Sequence, residues 1–72
     1  MTPELIETWR INYGLDKRSP EDAARWWSDK YDGLAPAGAV AAFGYLLEAR
    51  DADLRAKKIG CATTLLEMKH DR

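Results

Sequence analysis

Two segments of this chain carry the same punctuation at both ends, and that punctuation restricts what the chain can become. Thr2-Pro3-Glu4 opens the first, which passes Trp9 and Tyr13 and stops at Gly14-Leu15. Ser19-Pro20-Glu21 opens the second, which passes Trp26, Trp27 and Tyr31 and stops at Gly33-Leu34. A Thr or Ser ahead of a helix accepts a bond from a first-turn N–H that has no intrahelical partner, and Pro at the first helical position lacks an N–H that would be orphaned anyway. Asp22, three residues after Ser19, makes a weak capping box, and Glu4, Glu21 and Asp22 suit the positive helix end. Gly14 and Gly33 suit the left-handed backbone that closes a helix, with Leu15 and Leu34 folding back onto the last turn. The spacing predicts helices over Pro3 to Tyr13 and Pro20 to Asp32. One helix each is too little for a solenoid-type repeat.

Beyond Ala35 the text changes. APAGAVAAFGYLL is uncharged, EARDADLRAKK is densely charged, and IGCATTLLEM is apolar again. At helical spacing Val40, Phe43, Leu47, Leu54, Cys61, Leu65 and Met68 fall in one sector, interrupted by Arg50. No Gly or Pro marks a break near Arg50, which favours one helix from Pro36 to Lys69, roughly 50 Å long. The two short helices, roughly 16 to 20 Å each, are too short to cover it. A second copy of the chain is then the simplest cover, with Leu54, Cys61, Leu65 and Met68 at the dimer interface. The alternative breaks the helix between Arg50 and Asp53, with Asp51 or Asp53 as N-cap, and folds a fourth helix back into a bundle. Gly60 is a further weak point in a helix.

Seventy-two residues make a single small helical domain, 1–72, near the size at which a chain needs a staple to fold alone. The one cysteine, Cys61, makes no internal disulfide, and the one histidine, His70, builds no metal cluster with it. Packing and oligomerisation are left, and no cofactor is implied. The lone cysteine and the lack of a basic-then-apolar leader point to the cytoplasm. Net charge is −1, and neither half is a polybasic arm: residues 1–36 hold five basic and seven acidic side chains, and residues 37–72 six and five.

Several sites suggest themselves and dissolve. The apolar run Leu34 to Leu47 is too short for a bilayer, which needs about 20 residues; Gly38, Ala41, Ala42 and Gly44 read as small residues for tight helix packing. As a helix-turn-helix, the second helix would be AGAVAAFGYLL, which lacks the Arg, Lys, Asn or Gln that read bases. Lys57-Lys58, with Arg50 and Arg55, reads as a solvated face, with Asp51 and Asp53 four residues before Arg55 and Lys57. SDKYDG lacks the acidic spacing of a calcium loop. Cys61 and His70, about 13 Å apart along a helix, make no nucleophile and base pair. Nothing in this pattern reads as an enzyme.

The aromatics divide differently. Leu5, Ile6, Trp9 and Tyr13 share one face, as do Ala24, Trp27 and Tyr31, and both read as core. Trp26 has Asp22, Asp29 and Lys30 around it and Ile11 has Glu7 and Thr8, so both lie off the main apolar faces. Either the second helix is sandwiched and buries both tryptophans, or Trp26 marks a partner-binding surface with Ile11 and Lys30. The sequence therefore reads as an all-α domain, two short capped helices on a long C-terminal one. Its expected function is that of a non-enzymatic protein-binding module that blocks or redirects a larger partner, a regulator or inhibitor of the kind phages and mobile elements carry. A dimeric DNA-binding transcriptional regulator, or a minor subunit of a larger complex, is the alternative.

Overall fold

A computed structural model describes residues 2–70, His70 by its backbone alone. Among these residues there are four helices and no strand: α1 (Pro3–Tyr13), α2 (Pro20–Lys30), α3 (Pro36–Leu46) and α4 (Ala52–His70). The all-α reading holds, in its four-helix form.

The local punctuation works as its chemistry requires. Thr2 Oγ1 accepts from the Leu5 N–H at 3.2 Å, and Ser19 Oγ from the Asp22 N–H at 3.2 Å. Gly14 takes φ 60° and sends its N–H back toward the Arg10 and Ile11 carbonyls, and Leu15 folds in and is buried. The end of α2 departs from the expected one. The helix stops at Lys30 rather than Asp32, Tyr31 closes it by donating to the Trp27 carbonyl, and Gly33 takes φ 100° within the following turn. Leu34 does not fold back; it stays 48% exposed.

The continuous helix from Pro36 to Lys69 does not form. α3 ends at Leu46, and Leu46 and Leu47 are both buried, so the chain turns to leave two adjacent leucines in the core. Two polar contacts stabilise the break. Asp51 Oδ1 accepts from the Asp53 and Leu54 N–H groups at 3.0 and 3.2 Å, an N-cap of the kind worth about 1 kcal/mol. Arg10 of α1 donates from Nη1 to the Glu48 carbonyl at 2.8 Å, just past the end of α3, while its Nη2 is held by both Glu7 carboxylate oxygens. Asp51 thus acts as a cap. Among the described residues neither Asp51 and Arg55 nor Asp53 and Lys57 closes the expected ion pair.

α2 lies along α4, α3 packs on α4, and α1 packs on α3. Trp27 stands where these layers meet. Its ring stacks on Tyr31 at 3.9 Å and on Phe43 at 5.0 Å between centroids, and its indole N–H donates to the Ala39 carbonyl at 2.9 Å. A buried indole needs such an acceptor. Of the small residues of α3, Ala39 is fully buried and Gly44 faces Ile59 of α4, while Gly38 and Ala41 lie on the exposed side. Leu5 is exposed rather than core. Among the described residues no helix is long and apolar enough to cross a membrane.

Because α4 is a separate helix, its inward face need not continue the phase of α3. The row that enters the core is Lys58, Ala62 and Leu66, each at 0% exposure. Leu54, Cys61 and Leu65 are half-buried on its shoulder, and Met68 is 65% exposed. With α3 and α4 separate, there is no long helix whose uncovered distal half calls for a second copy.

Candidate functional site

Trp26 is half-buried, and α1 supplies the cover. Its ring centroid lies 4.7 Å from that of Tyr13, which in turn meets Trp9 edge-on at 6.5 Å. The Lys30 ammonium sits 4.5 Å from the Tyr13 ring centre and 5.0 Å from that of Trp26, and donates to the Tyr13 hydroxyl at 3.2 Å. Each such cation–ring contact is worth about 0.5–1 kcal/mol at an exposed site. Trp26 and Lys30 are therefore brought together, as a clasp between α2 and α1. Ile11 is not part of it: it is 65% exposed and lies two residues before Tyr13, on the other side of α1.

The larger feature is a groove between α2 and α4. Pro20, Glu21 and Arg25 form one wall and Lys57, Cys61 and Leu65 the other, enclosing about 620 Å³ between largely apolar walls. A second depression, lined by Asp32, Leu65, Met68 and Lys69, continues it past Leu65. The start of α2 thus lies beside Lys57, and its end beside Lys69, whose ammonium reaches Asp29 Oδ1 at 3.0 Å. The two helices run parallel. Cys61, Leu65 and Met68, spaced four and then three residues apart, form one row along the groove. Leu54 does not join them; it borders a different depression with Glu7, Arg10 and Asp16.

Lys58 belongs to the core and not to the solvated face expected of it with Lys57. It is fully buried, and its Nζ donates to the Leu15 carbonyl at 2.6 Å. The cause is the phase of α4, which turns the Lys58, Ala62, Leu66 row inward. A signal is present in the sequence: Leu54, Cys61, Ala62 and Leu65 surround Lys58 at three-, four- and seven-residue spacing, an apolar setting for a cation. Burial holds the amine below its ordinary value of 10.5, and the Asp16 carboxylate partly counters that. Among the described residues Ser28 is the other buried polar side chain, and its Oγ has no hydrogen-bond partner there.

The expected separation of Cys61 from His70 lies outside the described side chains. Comparison with protein-family models, with curated proteins and with solved structures gives no match.

Proposed function

We propose that this chain is a small non-enzymatic protein–protein interaction module, a regulator or inhibitor that binds a larger protein and blocks or redirects it. The groove between α2 and α4 supports this reading. It is long, apolar along its floor and charged at its rim, the form in which a helical surface receives the apolar face of another helix, with anchors at three- and four-residue spacing. Leu65, shared by both depressions, sits where a central anchor would press. The rim beside Pro20 mixes Glu21 with Arg25 and Lys57, which suits a protein surface better than a phosphate backbone. A single unpaired cysteine suits a reducing, cytoplasmic setting for such a module.

The test compares tagged wild type with Leu65→Asp as bait in lysate of the native host. Leu65 is half-exposed, so the variant is expected to keep its helical circular dichroism while losing the protein that wild type retains. Equal capture by both refutes the groove as docking face. Tight binding of random duplex DNA that weakens steeply with salt would put the DNA-binding reading first.

A further inference from the structure

We infer that the groove between α2 and α4 accepts a second copy of this chain, turned end for end about a two-fold axis. The inference rests on reading the groove as a docking face and names its resident occupant.

Three observations combine. The first is the row Cys61, Leu65 and Met68: Cys61 and Leu65 pack on the core by their inner sides and stay half-exposed toward the groove, and Met68 is exposed. The second is the sign of charge at the two ends. Arg25 and Lys57 stand against Glu21 at the end near Pro20, and Asp29 and Asp32 against Lys69 at the other. The third is the parallel course of α2 and α4. It places the positive N-terminal pole of α2 at the cationic end, and the negative C-terminal ends of both helices at the anionic one.

A surface related to itself by a two-fold axis must be self-complementary. Rotation about an axis crossing the groove near its middle superposes its two ends, so the cationic end of each copy meets the anionic end of the other. Lys57 and Arg25 then face Asp32 twice over. Lys57 and Met68 lie about 16 Å apart along α4, and the axis passes between them, close to Cys61 and Leu65. The apolar rows of the two copies interleave there, and the two Cys61 side chains come within the span of a short bismaleimide. A copy docked in the same direction would set like ends together, which opposes that arrangement. The face is small, so the pair is a weak one that another helix-bearing protein displaces by competition.

The test is light scattering of the purified full chain from low micromolar to about 1 mM, the range in which small interfaces dissociate. Wild type is expected to pass from monomer to dimer, and Leu65→Asp to remain monomeric with unchanged helicity. Lys57→Glu and Asp32→Lys are each expected to weaken the dimer at least tenfold, and the double variant to recover it, because each swapped charge meets the other across the axis. A bismaleimide is expected to join two chains through Cys61 in wild type but not in Leu65→Asp. A monomer at every concentration overturns the inference, as does a dimer indifferent to Leu65→Asp; failure of the double variant to recover overturns the end-for-end arrangement. If wild type is monomeric while Leu65→Asp still loses its protein partner, the second copy is refuted and the docking face stands. If Leu65→Asp dissociates the dimer yet captures the same partner, the reverse holds.

Discussion

Replacing Lys58 separates the contribution of its stem from that of its ammonium. Lys58→Ala removes three buried methylenes, about 2.4 kcal/mol at ~0.8 kcal/mol each. It also leaves the Leu15 carbonyl without its donor, about 1–3 kcal/mol more. Relief from holding a cation away from water offsets part of this, for an expected net loss of about 3 kcal/mol. A domain of 72 residues has only roughly 4 to 11 kcal/mol to lose. Lys58→Met keeps most of the stem volume and is expected to lose only about 1 kcal/mol, roughly 4 to 8 °C in Tm. The pH dependence is more telling than either figure. The folded amine titrates below 10.5, the unfolded one at its ordinary value, so between the two the unfolded chain binds more protons. Burying the charge costs stability in full below that window, and the cost disappears as pH rises through it. Urea denaturation of wild type and Lys58→Met, from neutral pH to near 10.5, should therefore show wild type gaining on the variant as pH rises, by at most about 1.4 kcal/mol per pH unit. A difference that stays flat or falls with pH refutes the buried charge, and a Met variant as damaging as the Ala variant refutes the role given to the stem.

Other substitutions test other joints. Asp51→Ala removes the acceptor for two N–H groups at the start of α4 and is expected to lower stability by about 1 kcal/mol, read by thermal melting, with Asp51→Asn or Asp51→Ser close to wild type. Ser28→Ala removes a buried hydroxyl that has no partner and is expected to leave stability unchanged or raise it by up to about 1 kcal/mol; a loss beyond that would mean the hydroxyl is bonded. Trp26→Ala takes away the ring that joins α2 to Tyr13 and is expected to lower stability by about 2 kcal/mol, with amide exchange rising first across residues 3–13. Unchanged stability and exchange would return Trp26 to the role of a partner-binding residue.

What could be read from the sequence tracks how local its cause is. The start and end of α1 and the start of α2 follow from Thr2, Ser19, two prolines and Gly14, all within four residues of the bonds they make. The break between α3 and α4 has one local cause, Asp51, which the sequence offers as a candidate cap. Its other cause is not local: Arg10 reaches the Glu48 carbonyl from 38 positions away. Helical periodicity brought out Cys61, Leu65 and Met68 as a row because that spacing puts them on one side of any helix. Leu54 shares that side two turns earlier but borders another depression, and Lys58 is left out because periodicity says which residues share a side and not which side turns inward. That choice belongs to α2, whose Ala23, Ala24 and Trp27 are the buried face against which α4 settles. Periodicity gives one wall of the groove but not the groove itself, since the other wall comes from α2 and the parallel course of the two helices is set by the chain between them.

The bond from Lys58 to the Leu15 carbonyl also orders assembly in time. Leu15 lies in the turn that joins α1 to α2, and its donor arrives 43 residues later. While the chain is still being synthesised, water serves that carbonyl, and only the docking of α4 expels the water and brings the ammonium in its place. The first two helices are each capped by their own residues, but they pack little on each other, and α4 closes the turn between them. A chain that ends before Lys58 holds an open turn, which closes only once α4 has docked.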